Sequence, residues 1–263
     1  MKTCLLPGAI TCMSPAAMVE SFLTVNWPAP KNIRALTTTR QGGYSHAPFD
    51  TLNLGEHVGD DPVHVAKNRQ TLIHTAALPA APLWLTQTHK TDVVDAKDWS
   101  PGIKADAITS DLPHHVCAIM TADCLPVLIT NTSGSQIAAV HAGWRGLQAG
   151  IIEKTLARFL TPASTILVWL GPAIGPGAFE VGPEVKAAFL AADAEAETAF
   201  MPTQTERFMA DIYLLARQRL HAQGVTAIYG GEYCTFSEKE RFFSYRRDGI
   251  TGRMATLIWM ENE

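Results

Sequence analysis

Apolar residues fall in blocks along this chain, and the spacing inside each block names an element. Residues 33–39, "IRALTTT", alternate like a strand, and "PLWLTQTH" reads as a strand ending at His89. "VCAIMTADCLPVLITN" and "QIAAVHA" are nearly unbroken apolar runs around the turn "NTSGS", which predicts an antiparallel hairpin of buried strands. "ILVWL", "VTAIYGGEYCT", "FFSYRRDG" and "RMATLIWM" supply the remaining strands.

Helical spacing appears four times. A helix starts near Asp61 or Pro62, with an aspartate to cap it and a proline suited to its first turn, and runs through "VHVAKNRQTLIHTA". "RGLQAGIIEKTLARFL" sets Leu147, Ile151, Leu156 and Phe159 on one face. "EVKAAFLAADAEAETAF" and "MADIYLLARQRLHAQG" are the third and fourth, the last stopped by Gly224. Strands and helices alternate without a strict βαβ beat, so the reading is a single α/β domain (α+β type) with mixed sheets. Residues 1–20 carry one Lys and a short apolar stretch broken by Pro7. They read as a loosely attached extension, with Met18 as an alternative start, ahead of one domain over residues 21–263.

Composition narrows the class. Of 263 residues, 47% are apolar and 17% charged, as in a folded globular chain. A formal net charge of −4 without a Lys/Arg block gives no footprint for nucleic acid or an anionic membrane. No apolar run is long enough to span a bilayer. Five irregularly spaced cysteines do not form a disulfide framework and point to a reducing cytoplasm.

The chemistry gathers at strand ends. A hairpin turn centred between Thr132 and Ser133 would set Cys124 opposite His141, near enough to share one zinc ion. A third ligand, His89 of "QTH", would complete a His/Cys/His set with its fourth position open. The same residues also read as a small core cysteine and two hydrogen-bonded structural histidines. Arg40 precedes Gly42 and Gly43 in "TTRQGG", where a fork of donors and bare backbone could hold an oxyanion. Arg145 stands at a helix start. Asp106 of "ADA" and Asp123 are candidate proton carriers, or partners that orient a ligating histidine. A surface turn explains each of these equally well. The glycine spacing of "GPAIGPGAFEVG" is wrong for a dinucleotide-binding loop.

Taken in order, "TTRQGGYSHAPFDTLNLGEHVGDDPVHVAKNR", "QTHKTDVV", "ADAITS", "TADCLPVLI", "AAVHAGWRGL", "GPAIGPGAFEVG" and "FFSYRRDGITGRMA" resemble the successive motifs of the YfiH-like family. It is also called the laccase-domain or multicopper polyphenol oxidase family. The resemblance implies a single four-layer α/β domain with mixed sheets. It implies zinc on His89, Cys124 and His141, with copper as the earlier assignment. It implies phosphorolysis of purine nucleosides (adenosine, inosine, guanosine, methylthioadenosine) with adenosine deamination, the partners being a nucleoside and phosphate. Editing of a peptidoglycan precursor by an amidase and copper-dependent phenol oxidation are the alternatives it carries. Where many relatives have cysteines in the Gly/Pro loop, this chain has Ala173, Gly177 and Ala178.

Overall fold

The computed structural model describes residues 21–262. Its strands are β1 (Phe22–Thr24), β2 (Ile33–Thr38), β3 (Val93–Asp95), β4 (Ala107–Ser110), β5 (Cys117–Thr121), β6 (Leu125–Asn131), β7 (Ile137–Ala142), β8 (Ile166–Leu170), β9 (Glu180–Val181), β10 (Phe200–Pro202), β11 (Phe208–Ala210), β12 (Ala227–Gly230) and β13 (Met254–Met260). The α-helices are α1 (Pro62–Thr75), α2 (Trp144–Gln148), α3 (Ile151–Leu156), α4 (Pro183–Leu190), α5 (Ile212–Ala222) and α6 (Tyr245–Asp248).

Two sheets carry the domain. The larger runs β12-β8-β6-β7-β4-β3 and is mixed, its outer pairs β12/β8 and β4/β3 being parallel and the rest antiparallel. The smaller runs β1-β2-β13-β5 and is antiparallel throughout. A short antiparallel sheet, β10-β11-β9, stands apart.

The period-two alternation of side chains sorts three apolar interiors. Leu125, Val127, Ile129, Val140 and Val168 leave one face of the large sheet and pack with Leu147, Ile151, Val185 and Leu215 of α2–α5. Leu128, Ala139 and Trp169 leave the other face and meet Ile119, Ile258 and Ile33 of the small sheet. Leu36, Ala118 and Leu257 on the far face of the small sheet meet Leu72 and Ile73 of α1. The order is therefore helices, large sheet, small sheet, helix: four layers. Both sheets are covered on both faces, which is why β5, β6, β7 and β13 are unbroken apolar runs.

Several elements differ from the sequence reading. The hairpin register sets Pro126, not Cys124, opposite His141. The cause is the turn. Asn131 Oδ1 accepts from Ser135 N, Gly134 takes a left-handed φ of 64°, and the centre moves one position on. Residues 82–89 form only isolated bridges at Leu83 and Thr86. The predicted strand "FFSYRRDG" contains α6, because the Ser244 hydroxyl accepts from Arg247 N and caps a helical turn. The single helix over residues 145–160 is two, broken where Gly150 adopts φ 92°. The third predicted helix stops at Leu190, and Asp193 caps a separate 3-10 turn. Helix α1 starts as predicted, with Asp61 accepting from Val63 N and Pro62 first in the helix. The reading of residues 1–20 as an extension lies outside the described residues. Among those described, no helix is long and apolar enough to cross a membrane.

Candidate metal centre

The chain leaves the small sheet at Thr121, passes Ala122–Asp123–Cys124, and enters the large sheet at Leu125. This crossover meets the C-terminal end of β7, where His141 shares the face of Ile137 and Ala139. Asp123 makes the crossing in a left-handed conformation, φ 91°, and three bonds hold it there. Thr235 Oγ1 and Arg246 N donate to its carboxylate at 2.6 Å each, and Ile174 N donates to its carbonyl.

His89 arrives from a loop wrapped around one buried carboxylate. Asp106 accepts from Thr88 N, His89 N and Lys90 N, from the Thr88 hydroxyl, and from His141 Nδ1 at 2.8 Å. Burial would raise its pKa, but the hydrogen bonds from His141, Lys90 N–H and Thr88 win and hold it well below the usual carboxylate range. An ionised carboxylate only accepts, so Nδ1 of His141 carries the proton and Nε2 is left for the cluster.

The ligand atoms of His89, Cys124 and His141 lie within 4.8 Å of one another. Cys124 Sγ is 3.9 Å from His89 Nε2, and the two imidazoles stand edge to face, 4.7 Å between centroids. Burial pushes the Cys124 thiol up, yet the neighbouring His141 imidazolium outweighs it and brings the thiol down to about 6. Burial likewise lowers His141, and the Cys124 thiolate with Asp106 lifts it to about 9. The pair is thus a thiolate facing an imidazolium.

The donor set suits a borderline-soft cation such as zinc: one thiolate, two imidazoles, and a carboxylate behind one of them. Gly143 leaves room at the centre. A Cβ there would stand 3.1 Å from Cys124 Sγ, 3.3 Å from His89 Cδ2 and 3.6 Å from His141 Cε1.

Two cavities adjoin the cluster, and His89, Ala122, Cys124 and Tyr245 line both. One, of about 260 Å³, is walled by Trp144, Ile174, Phe179 and Ile212, with Arg145 and Arg246 among the lining. The other, of about 310 Å³, is lined by His57, Gln87, Thr121, His141 and Arg253.

The structure brings Asp106, Asp123 and Arg145 to the cluster: Asp106 orients His141, and each carboxylate oxygen of Asp123 accepts one hydrogen bond. Arg145 is exposed and lies over the Trp144 ring at 4.3 Å. Arg40, Gly42 and Gly43 sit elsewhere. Arg40 donates to the carbonyls of Asp50 and Lys239, faces the Asp50 carboxylate at 3.4 Å, and lines a separate cavity with Arg247 and Asp248. Gly42 turns the chain with φ 92°. Gly43 is glycine because a Cβ would strike the Thr51 carbonyl and Leu52 Cα. His57, Trp144, Tyr245 and Arg253 were not singled out from sequence. Each lies in a loop or at an element end, where no periodicity marks a cavity wall.

Comparison with known proteins agrees with this geometry. The family model described as multi-copper polyphenol oxidoreductase laccase matches residues 34–261. A Pseudomonas aeruginosa protein named purine nucleoside phosphorylase is 56% identical over 245 residues, covering 93% of this chain and all of that one. The Escherichia coli purine nucleoside phosphorylase YfiH is 52% identical over 243 residues, covering 92% of this chain and all of that one. Among solved structures, Neisseria meningitidis protein NMB0706 superposes with a TM-score of 0.89 at 48% identity, over 92% of this chain and all of that one. YlmD from Geobacillus stearothermophilus does so at 0.83 and 30%, over 92% and 97%.

Proposed function

This chain belongs to the multi-copper polyphenol oxidoreductase laccase family, and from that premise we propose that it is a zinc-dependent purine nucleoside phosphorylase. Its substrates are adenosine, inosine, guanosine and methylthioadenosine, and it also deaminates adenosine. The observation that carries the reading is the His89/Cys124/His141 cluster set beside two cavities, in a chain more than half identical to proteins named for that activity. Cys117, Cys124 and Cys234 are all unpaired thiols, which supports a reducing cytoplasm as its setting.

In phosphorolysis a phosphate oxygen bonds to the sugar carbon C1′. The glycosidic C–N bond breaks, and its electron pair leaves with the purine. Trp144 and Phe179 offer flat apolar faces for the base, and Tyr245 stands at the mouth of both cavities. Asp106 holds His141 in one tautomer and one orientation. Zinc held by His89, Cys124 and His141 would supply a Lewis acid with one open position. Copper in the same three ligands would give phenol oxidation instead.

One observation favours a second reading. Cys124, His141 and Asp106 form a line of thiolate, imidazolium and carboxylate, the arrangement of a cysteine nucleophile with its base. That line would suit an amidase acting on a peptidoglycan precursor. One experiment separates the two: protein of measured metal content is given inosine with and without phosphate, then stripped by a chelator and reloaded. The phosphorylase forms hypoxanthine only with phosphate, loses turnover on stripping and regains it with zinc. Turnover that persists in metal-free protein overturns the zinc reading. Amide cleavage that survives stripping but not alkylation selects the cysteine nucleophile.

A further inference from the structure

We propose that the cavity lined by Arg253 is the phosphate site, so that the two substrates meet the cluster from two adjoining cavities. The assignment rests on the phosphorolysis reading above. It starts from an arginine that lines the cavity beside the cluster, where the Cys124 thiolate and the Asp123 carboxylate supply negative charge but no ion-pair contact. Arg253 is partly buried just before β13, and burial lowers the pKa of its guanidinium. Its Nη1 donates to the carbonyls of Thr251 and Gly252, and its stem lies against Gly55, where a Cβ would come within 2.8 Å of Cγ. Among the described residues no carboxylate forms an ion pair with it. Arg69, similarly withdrawn from solvent, pairs with Glu56 at 2.7 Å. A guanidinium taken out of water without an anion in contact is costly, and one that lines a cavity is a ready fork for an oxyanion.

A second observation is independent of the first. Thr121 lines the same cavity at the end of β5, across the ladder from Met254. It is 2% exposed, and its hydroxyl has no hydrogen-bond partner. A buried hydroxyl without a partner costs free energy until a ligand supplies one. His57 adds a donor at the rim. Burial, then Arg253 and Arg69 nearby, lower its pKa, and its ring N–H can donate into the cavity that it lines. The adjoining cavity is walled by Trp144, Phe179 and Ile212 and suits a nucleobase. Arg145 lies over the Trp144 ring and Arg246 Nη1 donates to the Glu180 carbonyl, and among the described residues no buried hydroxyl without a partner lines that cavity.

The test uses full-length, zinc-loaded protein and inorganic phosphate, titrated by calorimetry, together with steady-state KM values for phosphate and inosine. Arg253→Gln is expected to weaken phosphate at least about tenfold, the loss of hydrogen bonds to a charged partner. It should leave the inosine KM within about twofold. Arg253→Lys, which keeps the charge but loses the fork, should fall between. Unchanged phosphate affinity in a folded, metal-loaded Arg253→Gln protein overturns the assignment. So does a loss carried instead by Arg145→Gln. If Arg253→Gln fails to fold, Thr121→Val and His57→Gln report on the same cavity, and both must weaken phosphate. Absence of phosphate-dependent cleavage in the unaltered protein would remove the phosphorolysis reading, whereas the calorimetric titration still decides whether Arg253 holds the anion.

Discussion

At the scale of single residues, Cys124 and His141 decide how the centre responds to pH. The thiol lies down at about 6 and the imidazole up at about 9. Between those values the free pair is thiolate and imidazolium, but a metal needs thiolate and neutral imidazole. Binding zinc at pH 7.5 should therefore release close to one proton from His141, and the count should fall toward zero as pH rises through 9. Calorimetry in buffers of different ionisation enthalpy measures it; zinc binding with no proton release at pH 7.5 would show that the charged pair does not exist. The sequence made these residues legible through motif order, since "QTH", "ADC" and "HAGWRG" carry the three donors. The pairing argument that first joined Cys124 to His141 had the wrong register, yet it survives in effect. The true register sets Cys124, one residue outside β6, across from Gly143, and the missing side chain there lets the sulfur reach the histidines. Nothing local to Arg40 signalled that its guanidinium donates to the carbonyls of Asp50 and Lys239.

At the scale of elements, the long loop after β2 owes its shape to one side chain on α1. Asn68 is fully buried. Its amide donates to Ser45 Oγ, Thr51 O and Asn53 O, and its Oδ1 accepts from Tyr44 N. Asn68→Ala would take the partner from Tyr44 N and Asn53 O, whereas Ser45 Oγ keeps Asp60 and Thr51 O keeps Ser45 N; it should cost about 1–3 kcal/mol per buried group left unsatisfied, lessened where water enters. Urea unfolding gives the value, and zinc content should stay at the unaltered level; a change below about 0.5 kcal/mol, the scatter of ordinary surface changes, would mean the loop holds itself. Elements with a chemical stop or start were legible, as with Asp61 and Pro62 before α1. Those set by a backbone conformation or a side-chain bond were not: Gly150 splits one helical pattern, and Ser244 turns an apparent strand into α6.

At the scale of the molecule, the apolar runs announced strands buried on both faces but not their neighbours. Which strand lies beside which is a long-range choice, and β13 between β2 and β5 leaves no local trace. The cluster sits where the two sheets are joined, so a bound metal ties both to the loop carrying His89. Zinc should stabilise the whole fold by mass action, about 2.7 kcal/mol at a hundredfold excess over Kd. The melting temperature should rise with the logarithm of free zinc, and Cys124→Ser should flatten that rise. A melting temperature indifferent to zinc in the unaltered protein would place the metal on a surface that does not order the fold.

The position of β13 also sets a clock. On a ribosome, β2 and β5 leave the exit tunnel well before the strand that belongs between them. At ordinary synthesis rates the delay between β5 and β13 is about 7–27 s. Throughout it, Ile33, Leu36, Ala118 and Ile119 have no β13 to pack against, and two strand edges stand open to any other nascent chain. The hazard for this protein therefore falls during its manufacture, and helpers that shield unfinished chains have their work there.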